Sequence, residues 1–265
     1  MYDWFDRAIT YLRISVTDKC NLRCRYCMPE EGVQGRPHSD FLSLEQITEA
    51  ARAAVRLGMR KIRLTGGEPL VKRGIVDLVR MLRGIGGLEH LAMTTNGTLL
   101  ARHARELKEA GLDSLNVSLD TLDPERYREL TRGGDIDEAI EGLRAALAEG
   151  FPVKVNMVVL ADTTEGEIAR MRGFCEAKGA RLQLINHYEL SAGKKDDYRF
   201  DRPPLCASCN RIRLMADGML KPCLHSDAEV RLDFSRLEES LREAVLAKPA
   251  RGGVCTQRAM PQIGG

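Results

Sequence analysis

Cys20, Cys24 and Cys27 stand in a C-x3-C-x2-C run, directly after the apolar alternation Tyr11-Leu-Arg-Ile-Ser-Val16. Three thiolates can hold three irons of a cubane cluster and leave the fourth iron open. A catalytic metal site keeps such an open position for its substrate. The other readings are a structural zinc with a fourth ligand from elsewhere, or three unrelated thiols. Zinc sites are more often built from pairs of C-x2-4-C units than from an asymmetric triplet. A second triplet follows, with Cys206-Ala-Ser-Cys209 and, thirteen residues on, Cys223 in Lys221-Pro-Cys-Leu-His225. This spacing suits zinc as well as a second cluster, and His225 could be a fourth ligand.

Other residues carry chemistry by their position. Arg13, Lys61, Arg63 and Lys154 interrupt apolar strand patterns, and Lys61 and Arg63, two apart, share a strand face. Any one could snorkel to solvent. Gathered inside a barrel, cations are costly without a counter-charge. They therefore predict a polyanionic substrate, most simply a phosphate ester. Arg211 and Arg213 likewise alternate on a strand and can face one ligand. Leu64-Thr-Gly-Gly-Glu-Pro-Leu70 is either a tight turn or a place where backbone approaches a ligand closely. Thr94-Thr-Asn-Gly97 and Asn116-Val-Ser-Leu-Asp120 offer polar groups for a ligand, or helix caps.

The elements that must position these residues read as strand and helix in alternation. Strands are expected at Tyr11–Val16, Lys61–Thr65, His90–Thr94, Asp113–Ser118, Val153–Val159 and Arg181–Asn186. Helical periods fall at Ser43–Leu57, Ile75–Leu82, Ala101–Ala110, Pro124–Thr131, Ile136–Glu149 and Glu165–Lys178. Ser43-Leu-Glu-Gln46 has the form of a capping box. Gly58, Gly111, Gly150 and Gly179 sit where left-handed C-terminal caps belong. Six such units imply an α/β fold, a partial (βα)6 TIM-like barrel of parallel strands, with its chemistry at the strands' C-terminal ends. A polar linker or loop runs from His187 to Pro204. A hairpin is expected next, with Ile212–Met215 and Met219–Lys221 flanking the turn Ala216-Asp-Gly218. The domain reading is a barrel over 1–190 and a C-terminal extension over 191–265 that holds the second cysteine cluster.

Composition narrows the class. The 265 residues carry 40 basic and 38 acidic side chains, a net charge of +2, so no bulk field argues for nucleic acid or membrane as partner. Met1-Tyr-Asp-Trp-Phe-Asp-Arg has no apolar signal core, and no apolar run reaches the roughly 18 residues of a membrane helix. Eight cysteines, six of them in triplets, read as metal ligands of a cytoplasmic protein rather than disulfides. Cys175, in a helical pattern, reads as a buried small hydrophobe.

The first triplet with Tyr26, and Gly66-Gly67-Glu68-Pro69, resemble the radical SAM superfamily. There a C-x3-C-x-aromatic-C loop carries a [4Fe-4S] cluster with S-adenosylmethionine on the open iron. Within it the chain resembles the GTP 3′,8-cyclase family over nearly its whole length. That match rests on Tyr11–Asn21, Met28-Pro-Glu-Glu-Gly-Val33, Lys61–Leu70, Thr131-Arg-Gly-Gly134, the second triplet with Arg211-Ile-Arg213, and the terminal Gly264-Gly265. The resemblance implies a lyase of molybdenum cofactor biosynthesis with two [4Fe-4S] clusters and S-adenosylmethionine. A low-potential electron donor such as flavodoxin or ferredoxin would serve it, and a homodimer is left open. Tyr26, Gly66, Gly67, Glu68 and Ser118 would then bind S-adenosylmethionine. Arg13, Arg63, Thr94, Lys154, Arg211 and Arg213 would contact GTP, with the inward Lys61 beside them. Arg13, Arg211, Arg213, Gly264 and Gly265 would be the catalytic set. The chain departs from the family at Gln183, Asn186 and Tyr188, where Arg, Glu and Met are usual, and by a shorter segment before Cys206. These departures motivate the alternative of another nucleotide or a peptide as substrate. A non-catalytic protein with a structural zinc and a redox-sensing cluster is the reading from a different class.

Overall fold

In the computed structural model, residues 1–264 are described except 33–36, 38, 39, 196 and 202; Val33 and Gly265 therefore lie outside the described residues. Six strands form the centre: β1 (Tyr11–Ser15), β2 (Lys61–Thr65), β3 (His90–Thr95), β4 (Ser114–Ser118), β5 (Val153–Val159) and β6 (Arg181–Asn186). They pair in parallel in chain order, from β1 beside β2 to β5 beside β6. Each crossover carries a helix: α1 (Leu44–Arg56), α2 (Ile75–Arg83), α3 (Leu100–Glu109), then α4 (Pro124–Thr131) with α5 (Ile136–Ala148), and α6 (Glu165–Lys178). The expected partial barrel is the observed one. Ser43 and Gln46 form the capping box, and the four anticipated glycines all have positive φ.

Two chemically different faces result from the period of two along each strand. The helix-facing positions Leu12, Ile14, Ile62, Leu64, Leu91, Met93, Leu115, Val117, Val155 and Met157 have no exposed surface and form the core with the apolar stripes of the helices. The alternate positions carry Arg13, Arg63, Thr94, Asn116, Asn156 and Gln183, which line a cavity on the concave side.

The C-terminal extension continues this sheet. Strand β7 (Arg211–Leu214) pairs in parallel with the free side of β1, in the register Tyr11↔Arg211 and Arg13↔Arg213. The expected hairpin follows, β8 (Met219–Lys221) running antiparallel to β7, and β9 (Val230–Arg231) is added beyond it. Helices α7 (Leu237–Leu246) and α8 (Met260–Ile263) were not anticipated from the sequence. The described sheet has nine strands in the order β6-β5-β4-β3-β2-β1-β7-β8-β9. Between β6 and β7 the linker is fixed by several contacts. Asn186 exchanges hydrogen bonds with the backbone of Phe200, 2.8 Å to its carbonyl and 3.2 Å from its N–H. Cys255 N–H donates to the carbonyl of Leu190, and Lys194 N–H to that of Gly253.

One helix contact sets a limit on substitution. A Cβ at Gly142 in α5 would run into the carbonyl oxygen of Gly97 in the β3–α3 loop. Alanine is favoured over glycine in a helix by about 1 kcal/mol, whereas overpacking costs about 1–3 kcal/mol. Because the obstacle is backbone, Gly142→Ala is expected to lower stability by about 1–2 kcal/mol. Equal or higher stability in denaturant unfolding would contradict this packing.

Candidate active site

The first cysteine loop leaves the C-terminal end of β1 and is held by backbone. Arg23 and Arg25 donate their N–H groups to the carbonyls of Thr131 and Leu130. Arg132, in the left-handed region at φ 53°, donates Nη1 to the carbonyls of Arg23 and Met28. The Thr131-Arg-Gly-Gly134 stretch is therefore a clamp on this loop. Cys27 and Met28 N–H close a turn on the carbonyl of Cys24, and Leu22 N–H donates to Cys20 Sγ at 3.4 Å. Tyr26 donates its hydroxyl to Asp120 Oδ2 at 2.6 Å, and Asp120 Oδ1 accepts from Val158 N–H. Burial raises all three thiols, Cys27 to about 12; the charge of Glu68 adds to it at Cys20, those of Asp120, Cys27 and Cys20 at Cys24, and those of Cys20 and Asp120 at Cys27. The neutral apo thiols must lose protons to bind metal.

The glycine turn after β2 locks onto this loop. Gly67 N–H donates to the carbonyl of Thr17 and Glu68 N–H to that of Lys19. Cβ atoms at Gly66 and Gly67 would strike the carbonyls of Thr17 and Lys19. The glycines are thus required by contact with the cysteine loop, a reason the sequence reading did not supply. Glu68 is buried and accepts from Leu70 N–H, Thr95 Oγ1 and Asn96 N–H at 3.0, 2.7 and 2.7 Å.

The second triplet sits at the opposite end of the strands. Cys206 and Cys209 precede β7, which runs parallel to β1, while Cys20 follows β1. Cys223 follows the antiparallel β8 and so returns to the end where Cys209 lies. A five-residue strand separates the two ends by roughly 15 Å. One cavity of about 350 Å³ is lined by all six cysteines. Among the described residues, no three His, Cys, Asp or Glu side chains are grouped to hold a single metal ion. A tetrahedral zinc, with Zn–S of about 2.3 Å, would draw its ligands to within about 4 Å of one another. Each triplet offers three thiolates, the donor type of an iron–sulfur cluster. His225, raised as a zinc ligand, is 2% exposed, and neither of its ring nitrogens has a hydrogen-bond partner among the described residues.

Between the triplets lie the cations. Arg13, Lys61, Arg63, Lys154, Arg211 and Arg213 all line the cavity, as do Thr94, Ser118, Tyr26, Gly66, Gly67 and Glu68. Arg63 donates Nε to Tyr11 Oη at 2.7 Å and Nη1 to Thr94 Oγ1 at 3.2 Å. Burial and repulsion from Arg213, Arg211 and Arg63 push Arg13 down to about 9, against a partial offset from Tyr11. Tyr11 itself is held at about 8: burial raises it, and the charges of Arg13 and Arg63 lower it further. The carbonyl of Gly264 accepts from Arg13 Nη2 at 3.3 Å, so the tail reaches this site.

Several lining residues escaped sequence reading. Lys194 lies in the linker and donates Nζ to Cys206 Sγ at 3.3 Å. Lys248, 3% exposed, donates to the carbonyls of Arg211 and Pro222, both at 2.9 Å. Burial would raise Cys209, but Lys248 and Arg211 hold it at about 7. Neither lysine stands in a periodic pattern that marks it as inward. Gln183 and Asn116 both donate to Asn156 Oδ1, forming an amide ladder across β4, β5 and β6. Tyr188 packs its ring 5.1 Å from that of His225, at the second triplet's end.

Known proteins share this architecture and sequence. A family model described as the radical SAM superfamily matches residues 14–175. The GTP 3′,8-cyclase of Alkaliphilus oremlandii (strain OhILAs) is 38% identical over 320 residues, covering all of both chains. The enzyme of that name from Peptoclostridium acidaminophilum is 41% identical over 292 residues, 93% of this chain and 90% of its own. The crystal structure of Streptococcus suis SuiB bound to S-adenosylmethionine superposes with a TM-score of 0.68 at 18% identity. That superposition covers 92% of this chain and 65% of SuiB, and it speaks for the fold.

Burial lifts the Glu68 carboxyl from 4.5 to about 7, against the three donors that lower it. The folded state therefore holds an extra proton between those values, and stability rises as pH falls through 7 towards 4.5. Apoprotein stability is expected to increase from pH 8 to pH 5, with about 3 kcal/mol of the increase due to Glu68. Glu68→Gln should flatten the profile in chelator-containing denaturant titrations; parallel profiles would contradict the assignment.

Taken with this site, full-length identity well above the level that fold alone produces places the chain: it belongs to the radical SAM superfamily and, within it, to the GTP 3′,8-cyclase family.

Proposed function

We propose that the protein converts GTP to (8S)-3′,8-cyclo-7,8-dihydroguanosine 5′-triphosphate, as a cytoplasmic lyase of molybdenum cofactor biosynthesis. The observation that carries this reading is one cavity whose described lining joins two cysteine triplets with eight lysine and arginine side chains, in a chain that matches the cyclase family end to end. Cys20, Cys24 and Cys27 would hold the first cluster, with S-adenosylmethionine on its open iron. Cys206, Cys209 and Cys223 would hold the second. The first cluster, reduced by a donor such as flavodoxin or ferredoxin, would supply the one-electron chemistry on S-adenosylmethionine that joining ribose C3′ to guanine C8 requires.

The chain's own residues bind and orient. Gly66, Gly67, Ser118 and Tyr26 line the end of the cavity next to the first triplet, where S-adenosylmethionine would lie. Arg13, Arg63, Arg211 and Arg213 repel one another in a buried space, and a triphosphate would relieve that repulsion. Lys61, Lys154 and Thr94 extend the same anion-binding wall. Fixing the phosphates fixes the ribose, and holding reactants in place can supply several kcal/mol of the barrier reduction. Gln183 is neutral and donates to Asn156, so the phosphate charge would rest on the strands β1, β2, β5 and β7.

The test is anaerobic reconstitution with iron and sulfide, followed by S-adenosylmethionine, dithionite and GTP. Expected are 5′-deoxyadenosine and the cyclised nucleotide together. Cys24→Ala should abolish both, and Arg211→Ala should lower cyclisation at least tenfold. Deoxyadenosine without any cyclised GTP, or turnover of another nucleotide in its place, would sink the substrate assignment.

A further inference from the structure

Residues 256–264 are held by charges that the anion-binding wall does not use. Arg258, its side chain 11% exposed, donates Nη1 to Asp217 Oδ2 at 2.6 Å. Its Nε and Nη2 donate to the two carboxylate oxygens of Glu229 at 2.9 and 2.7 Å. Both acids belong to the β7–β9 region: Asp217 to the hairpin turn, Glu229 to the residue before β9. Glu229 also lies 3.5 Å from Nζ of Lys221, a fully buried side chain that donates to the carbonyl of Ser226. That contact closes the loop carrying Cys223. A second anchor lies upstream, where Asp227 accepts from Thr256 N–H, Thr256 Oγ1 and Gln257 N–H at 2.8, 2.8 and 3.0 Å.

Downstream of these anchors the chain has little room. Ile263 has no exposed surface and packs with Met215, Leu224 and Cys255. Gly264 adopts φ +73°, and a Cβ there would run into Thr65 Oγ1. A chain end normally frays, and one helical turn cannot hold itself. A forked guanidinium on two shielded carboxylates can hold it, because such pairs are strong and directional, unlike exposed pairs. Only five residues separate Arg258 from Gly264, so the fork fixes where the tail carbonyl falls.

We propose that Arg258 is a positioning residue of the reaction: its fork onto Asp217 and Glu229 seats the C-terminal tail so that the Gly264 carbonyl meets Arg13 in the cavity. Through the shared Glu229 the seat is tied to the loop that carries Cys223. The proposal rests on the cyclase reading only for the substrate named in its test.

Arg258→Ala, Arg258→Lys and Asp227→Asn, each loaded with both clusters, would be compared with the wild-type enzyme. Two quantities are followed: the rate at which a carboxypeptidase trims the chain, and the ratio of 5′-deoxyadenosine to cyclised GTP. In Arg258→Ala protein that still folds and holds both clusters, trimming should quicken at least tenfold and the ratio should rise at least tenfold. Arg258→Lys should recover part of both, and Asp227→Asn should show a smaller change in the same direction. A folded Arg258→Ala with wild-type trimming and wild-type ratio overturns the proposal. Should Arg258→Ala not fold, Asp227→Asn, which loosens the same segment from an exposed anchor, decides it: unchanged trimming and ratio overturn it equally. A wild-type enzyme that makes no cyclised GTP would defeat the substrate reading alone, because trimming does not depend on it.

Discussion

The parallel pairing of β1 with β7 is the constraint on which the rest depends. With Arg13 opposite Arg213 and Tyr11 opposite Arg211, the inward positions of two adjacent strands are cationic. The same register sends the two cysteine-bearing loops to opposite ends of the strand layer. Shifting β7 by one residue would turn Arg211 and Arg213 towards the helices and bring Ile212 and Leu214 into the cavity. The apolar residues Ile212 and Leu214, both without exposed surface, guard against that slip. Ordinary hydrophobic burial on one face thus fixes the electrostatics of the other.

That electrostatic face is strained in the absence of an anion. Burial and mutual repulsion pull Arg13 far below the usual guanidinium range, and Tyr11 becomes acidic beside it. Some of the charge is met within the protein, by Tyr11 Oη, Thr94 Oγ1 and backbone carbonyls. Neutral acceptors orient a guanidinium without neutralising it. A cavity built this way favours ligands of high negative charge over neutral ones of equal size, since only the former remove the repulsion. The tail adds one more neutral acceptor, the Gly264 carbonyl, at a guanidinium that burial and its neighbours depress.

Much of this was legible in the sequence because it rests on short-range rules. The strand and helix order followed from periodicity, the capping box from Ser43 and Gln46, and the inward cations from their interruption of apolar runs. The resemblance of the cysteine loops and the glycine turn to known families supplied the chemistry. Long-range contacts were not legible. Nothing local in Leu246-Ala-Lys-Pro249 marks Lys248 as a buried stitch between β7 and the Cys223 loop, and a lysine after a helix ordinarily points to water. The reason for Gly66 and Gly67 was likewise hidden, because the carbonyls they must clear lie some 50 positions earlier, on Thr17 and Lys19. Helix α8 was missed for want of length: four residues carry no measurable period.

Gln183 and Asn186, the positions at which the sequence departs from its family resemblance, become intelligible together with the short segment before Cys206. A long connection can wander and still deliver its end, whereas a short one must be pinned along its path. Asn186 is suited to this because one amide both donates to and accepts from the backbone of Phe200, which a carboxylate cannot do. Gln183, adjacent in the register to Asn156, completes an amide ladder in which every side chain is neutral. An arginine there would add another cation to a wall already in mutual repulsion. The shorter linker also carries Lys194 to the second triplet, where it meets Cys206 Sγ. The linker thus places a positive charge at the end of the cavity where thiolates would gather, while the barrel strand offers a neutral amide at Gln183.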